Sequence, residues 1–99
     1  MSWRVRYTRA ARDDLLRLYG FLLEQDMEAA QRAMDVINKS LELLQSFPFT
    51  CRKADPDNPF LRELLVSFGA SGYVALYEIE GDRTVTILAV RHQREDDYH

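Results

Sequence analysis

The sequence contains very few of the residues that hold metals, disulfides or phosphate groups. Cys51 is the single cysteine among 99 residues, so an internal disulfide is excluded. Two histidines are too few for a histidine metal site, and the four glycines form no phosphate-binding loop. We therefore expect a domain without a metal or a cofactor, in a reducing compartment.

Long apolar runs are also missing. No stretch approaches the roughly 20 apolar residues that a membrane-spanning helix needs. The first residues, MSWRVRYTRAARDD, lack the apolar core of a signal peptide. A content of 46% hydrophobic and 29% charged residues is typical of a folded chain. We expect a single cytoplasmic domain over residues 1–99, with no membrane partner.

Lysine is scarce, and the chain is acidic overall. Its formal net charge of −3 counts against a protein that coats nucleic acid with its whole surface. Eleven of the 13 basic residues are arginine, and five of these lie near the start: Arg4, Arg6, Arg9, Arg12 and Arg17. Arginine recognises carboxylates and phosphates through paired hydrogen bonds. An arginine-favouring genome explains the same bias equally well, so the bias alone does not identify an anionic partner.

Apolar periodicity indicates one strand followed by two helices. SWRVRYT alternates apolar and polar residues, as a half-buried strand does. Thr8 and Asp26 are suited to cap the helices that follow. The apolar residues of both helices recur every three or four positions, and the pattern ends at Pro48. Two such helices with a short connection predict an antiparallel helical hairpin.

The second half of the sequence indicates a loop and three strands. PFTCRKADPDNPF holds all three prolines and is predicted to be a surface loop. FLRELLVSF, YVALYEI and TVTILAV are predicted strands, the last two joined by a tight turn at Gly81 and Asp82. The whole order predicts an α+β fold, β-α-α-β-β-β, with the helical hairpin packed on a mainly antiparallel four-stranded sheet.

Basic side chains near the predicted strand ends are the candidates for a functional site. Arg62 opens the second strand, and Arg91 and His92 close the last one. Depending on strand register, these side chains meet on one surface, bind phosphate, and let His92 exchange a proton near neutral pH. The alternative is that strand ends are solvated and that arginines are common there. Because no second group for proton transfer is evident, the pattern favours partner recognition over catalysis.

Several short motifs have a characteristic order and spacing. VRYTRAARDDLLRLYGFL places a strand before a helix, LELLQSFPF closes the second helix, and LRELLV carries Arg62. The first helix carries Ala11, Asp14, Leu15, Leu18 and Tyr19, and the final hairpin ends with Val90, His92, Arg94 and Asp96. This pattern covers nearly the whole chain and resembles the RelE/ParE toxin superfamily of bacterial type II toxin–antitoxin modules. The ParE branch is the more similar.

The resemblance implies the toxin component of such a module, of the kind linked to plasmid stabilisation. A ParE-like toxin inhibits DNA gyrase by binding it, has no nuclease site, and is neutralised in a hetero-oligomer with its cognate antitoxin. The candidate partner-binding residues are Arg12, Arg52, Lys53, Arg62, Arg91, His92 and Arg94.

Two alternatives stay open. A RelE-like toxin is an enzyme that cuts mRNA on the ribosome, and the resemblance then makes Arg62, Arg91 and His92 the candidate catalytic residues. Ribosome-directed members are strongly basic, whereas this chain is acidic. The other alternative is an inactive toxin relic that serves as an interaction module.

Overall fold

The computed structural model describes residues 2–95, so Asp96 of the C-terminal motif lies outside the described residues. The strands are β1 (Arg4–Tyr7), β2 (Arg52–Asp55), β3 (Asn58–Phe68), β4 (Ser71–Glu80) and β5 (Thr84–His92). The helices are α1 (Arg9–Leu23) and α2 (Met27–Glu42), and a 3-10 helix, Leu43–Gln45, follows α2. Within the described range, no helix is long and apolar enough to cross a membrane.

The strands form one sheet in the order β1-β5-β4-β3-β2. β1 runs parallel to β5, and all other neighbours are antiparallel. The α+β class and the mainly antiparallel sheet are confirmed, but the sheet has five strands instead of the predicted four. The additional strand, β2, lies inside the predicted loop, where Arg52 and Lys53 pair with Glu63 and Arg62. The prolines lie on either side of β2, so every residue of β2 keeps the backbone amide that strand pairing needs. They mark the boundaries of a short strand and not one continuous loop.

Both helices begin at the predicted capping residues. Thr8 Oγ1 accepts a hydrogen bond from the Ala11 amide at 3.1 Å and donates one to the Leu88 carbonyl at 3.1 Å. Asp26 Oδ1 accepts hydrogen bonds from the first amides of α2. Leu88 lies where the register between β4 and β5 shifts by one residue. Thr8 therefore fixes both the start of α1 and the irregular point of the sheet.

The core lies between the helices and one face of the sheet. Tyr73, Ala75, Tyr77 and Ile79 of β4 all belong to it, which confirms the predicted shared face. Tyr77 is fully buried, and its hydroxyl donates a hydrogen bond to the Pro48 carbonyl at 2.6 Å. That bond fastens the segment after the 3-10 helix to the middle of the sheet.

A close backbone contact at Gly72 and a left-handed residue at Arg83 determine the backbone at the two ends of β4. A Cβ at Gly72, the second residue of β4, would overlap the backbone carbonyl of Val66. The Gly72 carbonyl also accepts a hydrogen bond from the Gln93 amide at 2.8 Å. The turn between β4 and β5 covers residues 81–83 and ends with Arg83 at a φ of 61°. A left-handed third residue is typical of three-residue hairpin turns.

Candidate functional site at the C-terminal end of the sheet

His92 lies at the end of β5, opposite Tyr73 of β4. Its ring meets the Tyr73 ring edge to face, with centroids 5.5 Å apart. Nε2 lies 3.0 Å from Ser71 Oγ, and Nδ1 accepts a hydrogen bond from the Arg94 amide at 3.1 Å. An accepting Nδ1 carries no proton, so this hydrogen-bond pattern assigns the proton to Nε2, which donates to Ser71.

This polarity decides what the Ser71–His92 pair can do. In a serine nucleophile–base pair, the imidazole accepts the hydroxyl proton through one nitrogen and donates from the other to an orienting group. Here, the nitrogen beside Ser71 is the donor and the other nitrogen is the acceptor. The pair is therefore arranged to hold the chain turn after β5 and not to activate Ser71.

A chain of charged groups joins this turn to α1. Arg17 Nη1 lies 3.0 Å from Glu95 Oε1, and Arg17 Nη2 lies 3.7 Å from Asp14 Oδ1. Glu95 Oε1 also accepts a hydrogen bond from the His92 amide at 3.2 Å. Burial acts to raise the pKa of Glu95, but the hydrogen bonds from Arg17 and the His92 amide, with the charge of Arg17, outweigh it. The pKa of Glu95 therefore lies below its ordinary value.

Asp14 is a buried carboxylate, with only 4% of the residue exposed. Its Oδ2 accepts a hydrogen bond from the Val90 amide at 2.9 Å. Asp14 thus ties α1 to the backbone of β5 and also pairs with Arg17. A buried charge is tolerated only when it is paired and hydrogen-bonded, and Asp14 has both kinds of partner.

An open groove of about 670 Å³ runs between α1 and the turn after β5. Leu18 and Phe21 form its apolar wall, while Arg17, Gln25, His92, Arg94 and Glu95 form the remaining wall. Phe21 is largely exposed. The groove offers apolar surface beside cationic groups, a combination that suits a protein partner better than a small polar substrate.

Arg91 and His92 are adjacent in the sequence but point to opposite faces of the sheet, since Arg91 pairs with Val74 and His92 with Tyr73. Arg91 Nη1 donates hydrogen bonds to the carbonyls of His92 and Glu95, the latter at 2.7 Å. The Arg91 side chain thus supports the backbone of the turn.

Arg62 lies in a different part of the molecule from His92. It pairs with Tyr77 on β4, four residues from the Tyr73–His92 pair, which is about 13 Å along the strand. Its guanidinium donates hydrogen bonds to three backbone carbonyls, those of Pro59, Phe49 and Cys51. The structure therefore does not bring Arg62 together with the Arg91–His92 pair, because the register places them at different levels of the sheet.

The other predicted partner-binding residues are spread over the surface. Arg12 is exposed on α1, and Arg94 is exposed beside the groove. Arg52 and Lys53 lie on the edge strand β2, where Arg52 forms an ion pair with Glu63 at 3.1 Å. Of the predicted partner-binding residues, only His92 and Arg94 line the groove.

Asp14, Arg17 and Glu95 were not predicted to act at this end of the sheet. Asp14 carried a detectable signal, because it is a carboxylate on the apolar stripe of α1 formed by Ala11, Leu15 and Leu18. Arg17 and Glu95 carry no such signal, since their pairing depends on how the last turn folds back onto α1. Within residues 2–95, no group of His, Cys, Asp and Glu side chains is arranged to hold a metal ion.

Comparison with known proteins agrees with this architecture. The family described as ParE toxin of type II toxin–antitoxin system, parDE, matches residues 5–97. Toxin RelE3 of Caulobacter vibrioides is 40% identical over 85 residues, which are 86% of this chain and 88% of the relative. Toxin RelE1 of the same organism is 30% identical over 92 residues, 93% of this chain and 95% of the relative.

Two solved structures share the fold. One, described as the chromosomal ParDE TA system from P. aeruginosa, has a TM-score of 0.74 at 21% identity and covers 91% of this chain and 95% of that chain. The other, the toxin–antitoxin complex RelBE2 from Mycobacterium tuberculosis, has a TM-score of 0.62 at 24% identity and covers 96% and 95%.

The helical pair on a mainly antiparallel sheet and the family match define a toxin of the type II toxin–antitoxin class. The chain belongs to the ParE toxin family of the RelE/ParE superfamily, which confirms the resemblance found in the sequence motifs.

Proposed function

We propose that this toxin acts by binding a protein target, DNA gyrase, and not by cutting RNA. The observation that carries the proposal is the state of the three candidate nuclease side chains. Arg62 holds backbone carbonyls far from His92, Arg91 supports the last turn, and both ring nitrogens of His92 bond within the chain. General acid–base catalysis needs groups that converge on one reacting atom, and these three do not.

The charge of the chain supports the same proposal. A net charge of −3 disfavours association with ribosomal RNA, whose phosphates demand a strongly cationic surface. The groove beside His92 supplies apolar contacts from Phe21 and a cation from Arg94, as protein interfaces commonly do.

The proposal includes a cognate antitoxin that neutralises the toxin in a hetero-oligomer. The two structural neighbours come from a ParDE system and a RelBE2 toxin–antitoxin complex, and the chain shares their fold. A segment that folds on binding would lay its apolar side chains in the groove of α1. A toxin with these two partners would act in the cytoplasm.

A ribosome-dependent endoribonuclease is the second candidate, and it is favoured by the names of the two relatives, Toxin RelE3 and Toxin RelE1. For such an enzyme, substrate binding would have to release His92 from Ser71 and Arg94. Replacing His92 by glutamine would then abolish cleavage and leave the fold intact.

Two assays on the same purified toxin separate the candidates. Purified gyrase is tested for supercoiling of relaxed plasmid, and ribosomes carrying a defined mRNA are tested for cleavage. We expect lost supercoiling and intact mRNA, with supercoiling restored by the antitoxin. The exposed α2 residue Arg32 supplies a control, since Arg32→Gln removes a cation that does not line the groove.

Cleaved mRNA with unaffected gyrase, and loss of cleavage in His92→Gln, would establish the nuclease instead. Normal growth of cells that accumulate folded protein without antitoxin, with neither activity, would identify the inactive relic.

A further inference from the structure

A row of aromatic side chains lies at the opposite end of the sheet from His92. Phe49 contacts both Trp3 and Phe60 edge to face, with ring centroids 6.0 Å and 6.3 Å apart. Phe49 is 47% exposed and Phe60 is 51% exposed. We call this set, with Arg62 and Arg83, the aromatic end. Contiguous exposed rings of this kind are uncommon on a monomer surface without a partner.

A guanidinium covers a ring face on each side of the row. The Arg83 guanidinium carbon lies 5.4 Å from the centroid of Trp3, and that of Arg62 lies 5.5 Å from the centroid of Phe49. Within residues 2–95, neither arginine forms an ion pair with a carboxylate, although Arg4 and Arg6 of the adjacent strand do. The aromatic end therefore keeps two cations in contact with exposed apolar surface.

The row is held in place before any partner arrives. Arg62 binds the carbonyls of Phe49 and Cys51, and the Trp3 amide donates a hydrogen bond to the Gln45 carbonyl at 2.7 Å. The buried Tyr77 hydroxyl holds Pro48, the residue before Phe49. Preorganised surfaces lose less conformational entropy on binding, which favours a recognition role.

The geometry points to a docking surface for an acidic segment of a protein partner, one that carries apolar side chains between its carboxylates. The carboxylates would pair with Arg83 and with Nη2 of Arg62, whose Nε and Nη1 already bind backbone carbonyls. The apolar side chains would cover Phe49 and Phe60. Tryptophan and arginine dominate the residues that carry binding energy in protein interfaces. The surface is separate from the groove beside His92, so its role does not depend on whether gyrase is the target.

Single-stranded nucleic acid fits this surface less well. Bases stack in parallel on open aromatic faces, whereas these rings meet at steep angles of 76° and 71°. Guanidinium groups also cover faces of Trp3 and Phe49, so those faces are not open to a stacked base.

Trp3 is the only tryptophan of the chain, so its fluorescence reads binding at the aromatic end directly. The probe is a short synthetic peptide in which Glu and Asp alternate with Leu and Phe. We expect a saturable change in Trp3 emission that weakens as salt is added. A peptide with Gln and Asn replacing the acids, and one with Ser replacing the apolar residues, should each bind at least about tenfold more weakly.

Three variants locate the binding. Arg83→Asn removes a cation while suiting the left-handed backbone, and Phe60→Ser removes an exposed ring. Each variant should bind the acidic peptide about tenfold more weakly than the wild type does. Leu65→Ser is the matched control, because Leu65 is 49% exposed on β3 and adjacent to the core-facing Leu64. Circular dichroism and thermal unfolding establish that each variant is folded.

The inference is overturned if the acidic peptide leaves Trp3 emission unchanged. It is also overturned if Leu65→Ser weakens binding as much as Phe60→Ser, or if a single-stranded RNA oligonucleotide produces the saturable change and the peptide does not.

Discussion

The two ends of the sheet use arginine in different ways. At the aromatic end, Arg62 donates to neutral backbone carbonyls and covers the ring of Phe49. At the other end, Arg17 binds the carboxylates of Asp14 and Glu95 and joins α1 to the turn after β5. Neutral acceptors do not titrate near physiological pH, whereas carboxylates lose their charge in acid. The turn after β5 should therefore respond to pH and salt more strongly than the aromatic end.

The largest loss of stability is expected at Gly72, which packs against the backbone of β3 and accepts a hydrogen bond from the turn after β5. Gly72→Ala would force its new Cβ into the Val66 carbonyl, so β3 and β4 would have to separate. We expect the free energy of unfolding to fall by about 3 kcal/mol or more. Urea unfolding followed by circular dichroism measures the change.

Gly20→Ala is the matched control for this substitution. Gly20 lies within α1, and a Cβ there would meet no atom within 4 Å. Alanine should stabilise the helix by about 0.5–1 kcal/mol. Equal destabilisation by the two substitutions would contradict the close approach at Gly72.

An intermediate effect is expected from Tyr77→Phe, since Tyr77 lies beside Arg62 of the aromatic end. The change removes the hydrogen bond to Pro48 and leaves a buried carbonyl without its donor, at a cost of about 1–2 kcal/mol. Burial is the main reason that the pKa of Tyr77 is raised. Because the folded form holds the proton more tightly, this contribution is complete below pH of about 10 and declines as pH rises further.

Unfolding measured at neutral and alkaline pH checks both parts of the Tyr77 prediction. The difference between wild type and Tyr77→Phe should be constant from about pH 6 to 9 and should shrink above pH of about 10. Tyr73→Phe alters a second core tyrosine, whose pKa burial also raises. A loss in Tyr73→Phe as large as that in Tyr77→Phe would show that the Pro48 bond is not the cause.

The smallest effect is expected from Glu95→Gln. The pKa of Glu95 is lowered in the fold, so its stabilising contribution is present above the ordinary glutamate pKa and is lost as pH falls through the lower folded value. The pair with Arg17 is partly exposed, so the loss at neutral pH should stay below about 1 kcal/mol. Unfolding curves at pH of about 7 and about 3 should differ less for the variant than for wild type. A difference between the two proteins that persists at the lower pH would argue against the ion pair.

Periodicity in the sequence was sufficient to predict the two helices and most strands, but not which segments pair in the sheet. Thr8 and Asp26 were recognised as caps because their side chains act on amides two or three residues away. β2 was missed because its pairing with β3 depends on the turn at Pro56 and Asp57, and turn formers there also suit a longer loop.

The candidate site illustrates the same difference between local and distant contacts. His92 was singled out correctly as a residue at the end of a strand, yet its proposed neighbour Arg62 lies at another level of the sheet. Strand register depends on how three separate turns close, and one extra residue at Leu88 shifts the pairing. The Arg17–Glu95 pair spans 78 positions in the chain, and no local pattern encodes such a contact.

The placement of β5 has a consequence for how the toxin is made. β5 lies between β1 and β4, so the first strand of the chain can join the sheet only after the last strand exists. A ribosome adds about 5–20 residues per second, and during that time β1 and the apolar side of α1 lack their partner strand. A nascent chain halted before Thr84 would therefore expose the apolar side of α1 and an unpaired β1 to chaperones and proteases. Completion of β5, and not the emergence of α1, is therefore the step at which the five-stranded sheet can close.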